Sequence, residues 1–278
     1  MQPLLSFNHH SSKNYIKMRT TFYLLIASLM ILSACKKDEF QYSFETPSKL
    51  LVSIKENQQL ITEFKYDNLN RLIQLDRYSS GNPVCVSQFF EYNSQNKLIS
   101  KAYSEYIENY EYDNSGRLVA IILHFKSSRD GYEWTQKTEL QYSKGKICKG
   151  IIFSHDGIES SYFIYKYDSR GNTIERTEYS VLSDNKDMSI SQFKYTYDDK
   201  INPYPFSSSP FGGVVDIIQR NNPTYSYSYN VYMSMFPPEF DFTYDYDNTG
   251  LPIKEYRKGF KGQGVSNVFE YAYIDKNK

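Results

Sequence analysis

The sequence predicts an all-β protein: an antiparallel meander of hairpins that curls into a barrel-like or half-barrel sheet. Three observations carry this. Tyrosine occurs 28 times beside 18 Phe and a single Trp, and Tyr and Phe suit the pleated, half-buried surface of a strand. A line of alternating aromatic and charged residues ending in Asp or Asn recurs along the chain, mostly every 20–30 residues, and such a period marks a repeat architecture. Three residues after that Asp or Asn stands Gly or Asn, the residue types that accept positive φ in a turn.

The copies run in order. Phe64-Lys65-Tyr66-Asp67-Asn68-Leu69-Asn70-Arg71-Leu72 comes first, then Phe90-Glu91-Tyr92-Asn93-Ser94-Gln95-Asn96-Lys97-Leu98. Tyr110-Glu111-Tyr112-Asp113-Asn114-Ser115-Gly116-Arg117-Leu118 follows, with a shortened copy at Leu140-Gln141-Tyr142-Ser143-Lys144-Gly145-Lys146. Next come Tyr165-Lys166-Tyr167-Asp168-Ser169-Arg170-Gly171-Asn172 and a diverged Tyr195-Thr196-Tyr197-Asp198. Tyr244-Asp245-Tyr246-Asp247-Asn248-Thr249-Gly250-Leu251 is the last full copy, and Phe269-Glu270-Tyr271-Ala272-Tyr273 is a half-unit. Alternation at period 2 gives each strand an aromatic face and a charged face. The Asp or Asn opens the turn by bonding the backbone two residues on, and the fourth position takes the bulge of a type I turn plus G1 bulge. Arg or Lys with Leu starts the return strand. Each unit is therefore a hairpin, giving about 14 strands, and cross-strand aromatic pairs contribute roughly 0.2–1 kcal/mol each.

Residues 200–240 interrupt the pattern. Pro203, Pro205 and Pro210 lack ladder donors. One short helix is expected near 213–220, ended by Asn221-Asn222-Pro223, before strand returns at 225–232. Core packing is the commoner role for such a stretch; its functional alternative is a barrel plug or binding lip, through Tyr204, Phe206, Phe211, Tyr232 and Phe236.

The N-terminus reads differently. Arg19-Thr20-Thr21, an apolar run of 11 residues at 22–32 and Ser33-Ala34-Cys35 follow signal-peptide grammar. The run is about half the roughly 20 residues that span a bilayer as a helix. Residues 1–17 are polar, so the leader's expected start is Met18. Leu32-Ser33-Ala34-Cys35 resembles the bacterial lipobox, which implies cleavage before Cys35 and lipid on its sulfur. The expected organisation is a signal peptide at 1–34, a lipidated tether at 35–48 and one β domain at 49–278. Lys36-Lys37-Asp38-Glu39 resembles the export signal of surface lipoproteins in Bacteroidota, and implies an outer-membrane protein facing the cell exterior.

The Tyr-x-Tyr-Asp-x-x-Gly units, with Asp199-Lys200-Ile201-Asn202-Pro203-Tyr204, resemble YD-repeat (Rhs-type) proteins over about 50–278. The closer likeness is to Bacteroidota lipoproteins of uncharacterised function with a porin-like β-fold. The resemblance implies a long, curling meander and no activity. A membrane-spanning barrel needs an outward apolar band on every strand. Here the face opposite the aromatics holds Glu63, Lys65, Glu91, Glu111, Lys166 and Lys194. That face belongs in water.

The remaining chemistry is sparse. The whole chain carries 32 basic and 32 acidic residues; removing Lys13, Lys17 and Arg19 with the leader leaves 29 against 32. No basic stripe supports nucleic-acid binding. Cys85 and Cys148 fit no metal motif and read as two isolated thiols, with a bridge as the alternative in a compartment that permits one. His124 sits in an apolar strand. Ser154-His155-Asp156 is consecutive, so its side chains cannot converge as a triad, and a hairpin tip accounts for it. Asp245-x-Asp247-x-Thr249-Gly250 overlaps the start of an EF-hand loop, but Tyr256 stands where its Glu belongs. No catalytic set, metal site or cofactor is expected. The expected function is a non-enzymatic surface module that binds a glycan or a protein and meets the membrane through its lipid alone. The alternatives are a carboxylate-pair polysaccharide hydrolase and a structural or assembly component without a ligand.

Overall fold

The computed structural model describes residues 47–79, 84–126, 131, 133–181, 188–204, 220–231, 239–259 and 266–276. They form sixteen strands. The first eight are β1 (Lys49–Glu56), β2 (Gln59–Tyr66), β3 (Leu72–Tyr78), β4 (Val84–Tyr92), β5 (Leu98–Tyr103), β6 (Tyr106–Tyr112), β7 (Leu118–Lys126) and β8 (Glu133–Ser143). The rest are β9 (Lys146–Phe153), β10 (Glu159–Tyr167), β11 (Thr173–Ser180), β12 (Met188–Ile201), β13 (Asn221–Asn230), β14 (Glu239–Tyr246), β15 (Pro252–Gly259) and β16 (Ser266–Asp275). Each pairs antiparallel with its chain neighbours, and β1 pairs with β16 from Lys49↔Asp275 to Glu56↔Phe269. The meander is thus a closed barrel of sixteen strands, two more than the repeat indicates, and closure leaves no unpaired edge. No helix occurs among the described residues. The helix expected near 213–220 lies outside them, except for Arg220, a bend that leads into β13.

Because strands alternate in direction, the connections divide between two rims. The repeat turns, the connection from β12 to β13 and both ends of the barrel chain belong to one, the turn rim. Short turns at 57–58, 104–105 and 154–158 belong to the other, the far rim. The repeat turns have the expected geometry. Asn70, Asn96, Gly116, Gly171 and Gly250 have φ between 61° and 91°. Asp67 Oδ1 accepts the N–H groups of Leu69 and Arg71 at 2.9 Å, and Asp113 and Asp247 do the same in their own turns.

A second regularity lies just inside the turn rim. Each odd strand carries one extra residue against the even strand before it: Val52, Ile73, Ile99, Val119, Cys148, Ile174, Thr224 and Ile253. A bulge of this kind flips the side-chain alternation. Leu72 and Leu75, three apart, therefore both face inward, opposite Tyr66 and Phe64. The residue before each bulge offers its carbonyl to a tyrosine hydroxyl on the following even strand. Tyr66, Tyr92, Tyr112, Tyr142, Tyr167, Tyr197, Tyr244 and Tyr273 donate at 2.6–2.9 Å to Leu51, Leu72, Leu98, Leu118, Ile147, Thr173, Pro223 and Pro252 respectively. These eight bonds stitch successive hairpins together. Arg71, Lys97, Arg117 and Lys146, which close the turns, lie 4.9–5.2 Å from the rings of Tyr92, Tyr112, Tyr142 and Tyr167. That placement is why a base follows each turn: its charge sits on the next hairpin's tyrosine. Leu51, Ile54, Phe64, Leu72, Leu75, Phe90, Phe269 and Tyr271 pack as one buried cluster across the seam of the barrel.

Candidate functional site

The inner wall changes character from rim to rim. Near the turn rim it is filled by the stitched tyrosines and the leucines beside them. At the far rim, β5–β8 instead present Tyr103, Tyr106, Phe125 and Trp134 in direct register. These four rings face inward yet are only half-buried. Tyr103 stacks on Tyr106 with centroids 5.3 Å apart, Tyr106 meets Phe125 at 4.9 Å, and Phe125 stacks on Trp134 at 5.7 Å. Such ring pairs favour offset and tilted contacts.

One layer deeper sits a buried ion pair. Lys101 Nζ lies 3.3 Å from Glu108, whose carboxylate also accepts the hydroxyls of Tyr103 at 3.2 Å and Tyr110 at 2.7 Å. Burial and the Glu108 charge push the Tyr110 hydroxyl well above its ordinary value. Lys101 also lies 5.1 Å from the Tyr103 ring. Gln136, between Trp134 and Thr138 on β8, shares this layer opposite Leu123. Across the barrel only β13 is small and polar at this depth: its Ser226, Ser228 and Asn230 oppose inward Tyr195, Phe193 and Ser191 on β12.

Two further inward acid–base pairs exist. Glu255 on β15 holds Arg257 at 2.7 Å and accepts the Tyr271 hydroxyl. Glu178 on β11 holds Arg176 at 3.5 Å and accepts Ser191 Oγ at 3.1 Å. The three carboxylates stand on β6, β11 and β15, four or more strands apart. At a strand spacing of about 4.8 Å that is about 19 Å along the wall. Each pairs with a base on its own or the adjacent strand.

Of the five candidate lip residues, Tyr204 alone lies among the described residues. Its ring turns into the barrel, 6.5 Å from Phe64 and 6.1 Å from Tyr271, with 3.3 Å between the two tyrosine hydroxyls. Burial raises its hydroxyl above the ordinary range. Phe206 and Phe211 fall outside the described residues, on the connection between β12 and β13 that leaves from the turn rim. Tyr232 and Phe236 also fall outside them, on the connection between β13 and β14 that leaves from the far rim. The neck of the first connection is clamped by buried amides. Asn172 Oδ1 accepts the backbone N–H groups of Arg220 and Asn221 at 2.8 and 3.0 Å, and its amide donates to Asp168 and Asn221. Tyr246 donates its hydroxyl to Asp198, which also accepts Asn222 N–H at 3.1 Å. Cys35 and Lys36, Lys37, Asp38 and Glu39 lie outside the described residues.

The other singled-out residues stay away from this wall. His124 pairs with Ile107 and Thr135 on the outward parity of β7. Ser154 Oγ donates to Asp156 at 2.5 Å and Gly157 has φ 77°, so this segment is a hairpin tip at the far rim. Asp247 spends its carboxylate on its own turn, and no group of metal-binding residues occurs among the described residues. Cys148 is a free thiol at a bulge position on β9. The sequence reading missed Tyr103, Tyr106, Phe125 and Trp134. A usable signal was present: Tyr103 and Tyr106 flank a two-residue turn, which makes them a facing pair, and Trp134 is the chain's single tryptophan.

An antiparallel meander closed at sixteen strands, with an outer face that mixes charged pairs and exposed apolar side chains and with a graded lumen, is the class of molecule these features define. No family model and no curated protein matches the chain. Among solved structures it is similar to a porin-like protein from Bacteroides uniformis ATCC 8492, with a TM-score of 0.50 and 12% identity over 82% of this chain and 98% of that one. A porin-like protein from Bacteroides vulgatus ATCC 8482 follows, with a TM-score of 0.40 and 12% identity over 81% and 99%. At that identity the likeness concerns the fold.

Proposed function

We propose that this chain is a lipid-anchored protein of the bacterial envelope whose barrel stands in water and offers its far rim as a non-enzymatic binding module for a glycan or a protein. The observation that carries the reading is the difference between the rims. The chain enters the barrel at Lys49 and leaves at Asp275, side by side at the tyrosine-packed turn rim. The half-open aromatic wall is at the opposite rim, so the chain that leads from Cys35 joins the barrel at the rim remote from that wall. The Lys36–Glu39 run favours the outer face of the outer membrane.

The outer wall supports an aqueous setting. Cross-strand pairs Lys65–Asp76, Lys166–Glu175 and Lys254–Glu270 occupy outward positions where a spanning barrel needs a continuous apolar band. A carboxylate-pair hydrolase needs two acids within about 5–9.5 Å, and Glu108, Glu178 and Glu255 stand four or more strands apart on the wall.

Changing Cys35 to Ala is expected to release the protein from membranes; unchanged attachment would overturn the anchor. Protease treatment of intact cells is expected to remove the barrel, and full protection would contradict display. Glycan-array screening, together with co-purification of surface partners, should give a ligand in one or the other. Clean negatives in both would leave a structural component.

A further inference from the structure

We infer that the ring ribbon Tyr103–Tyr106–Phe125–Trp134 is a subsite for a neutral oligosaccharide. The inference rests on the binding-module reading and names the ligand class for that rim. Four adjacent strands each contribute one ring, so the ribbon runs about 14 Å along the inner wall, the length of a short oligosaccharide. The rings face the lumen but remain half-exposed, whereas Phe64, Phe90 and Phe163 on the same inner face are buried. Water therefore reaches the ribbon. Aromatic faces left wet cost apolar hydration, and a sugar's C–H face can cover them while its hydroxyls remain hydrogen-bonded.

The surroundings match that chemistry. Lys101 and Glu108 cancel one another's charge at 3.3 Å, so the wall beneath the rings attracts neither anions nor cations. Tyr103 joins the two layers, stacking on Tyr106 while its hydroxyl donates to Glu108. Gln136 brings an amide one residue pair below Trp134. A protein partner fits less well. Closure removes the free strand edge that an added peptide strand would need, and the rings line a concave inner wall rather than a flat outer one.

Trp134 is the chain's single tryptophan, so its fluorescence reports on this subsite alone. The test titrates the full-length protein in detergent with hexasaccharides of β-1,4-glucose, α-1,4-glucose, β-1,4-xylose and β-1,4-mannose. At least one should give a saturable change in emission. By calorimetry the same sugar should bind Tyr106→Ala at least tenfold more weakly, and Trp134→Phe, which keeps a ring, less than fivefold more weakly. If Tyr106→Ala fails to fold, the wild-type emission titration decides alone. No emission change with any of the four overturns the inference; if a co-purified protein partner then perturbs Trp134, the module reading stands without it. Sugar binding of unchanged affinity in Tyr106→Ala also overturns it, by putting the sugar elsewhere.

Discussion

Gly150 faces the lumen opposite Leu140, and a Cβ there would lie 2.0 Å from Cζ of Phe163. Phe163 is itself buried with Leu140, Ile147 and Tyr165, so its ring has nowhere to retreat. Gly150→Ala is therefore expected to cost about 1–3 kcal/mol through overpacking. Gly259→Ala, whose nearest neighbour is a Phe240 ring carbon at 3.7 Å, should leave the urea midpoint nearly unchanged. An equal effect at both sites would mean that the Phe163 ring can move. Side chains were legible in the sequence wherever alternation holds and illegible where a bulge breaks it. Glu108 shares its parity with Tyr110 and Tyr112, so its inward position could be read from the chain. Lys101 could not: alternation from Leu98 turns it outward, and only the extra residue Ile99 brings it back to the lumen opposite Phe90.

At the scale of the hairpin, local rules carry most of the information. The αL residue, the Asp that opens the turn and the base that closes it are all encoded within nine residues, which is why the repeat turns were legible. The tyrosine stitches were not, because each joins a hydroxyl to a carbonyl on another strand 14–24 residues away. The same holds for the neck at Asn172, whose partners lie 48–49 residues away. The turn between β14 and β15 adds a long-range contact to the local pattern. Asp247 accepts Thr249 N–H, Thr249 Oγ1 and Leu251 N–H at 2.6–3.0 Å and reaches Lys49 at 3.2 Å, tying this hairpin to β1. Burial alone would raise its carboxyl, but these donors outweigh burial and hold it at about 2. The sign follows: the contribution is present above the unfolded value near 4 and lost as pH falls toward 2. Asp247→Ala should cost about 1–3 kcal/mol at pH 7 and much less at pH 2, read from urea midpoints at the two pH values. A cost that does not shrink in acid would assign Asp247 a purely steric role.

For the whole molecule, the decisive contact is the one farthest apart in sequence, β1 against β16. A repeat predicts neighbours, and it cannot say whether the last strand meets the first; the barrel closes because the seven strand pairs from β2–β3 to β14–β15 curve far enough to bring them together. Tyr66 and Tyr273 flank that seam, tying β2 to β1 through Leu51 and β16 to β15 through Pro252. Their hydroxyls act as donors, so ionisation removes the bond and leaves an anion among apolar side chains. Burial accordingly raises Tyr66, Tyr244 and Tyr273 above the ordinary value, and pushes Tyr112 up to about 12. In the unfolded chain the same phenols ionise near 10. Stability from these groups is thus complete below pH 10, falls as pH climbs through the gap, and is gone once pH passes their folded values. The slope is up to about 1.4 kcal/mol per pH unit for each tyrosine involved, so several acting together should make alkaline unfolding steep. The urea midpoint should stay flat from pH 7 to 10 and then drop, with phenolate absorbance rising in step with loss of sheet. In Tyr112→Phe the protein should be weaker at pH 7 and its alkaline slope shallower. Smooth titration of most tyrosines near pH 10 in an intact barrel would show that the ring of hydroxyl bonds does not hold the hairpins together.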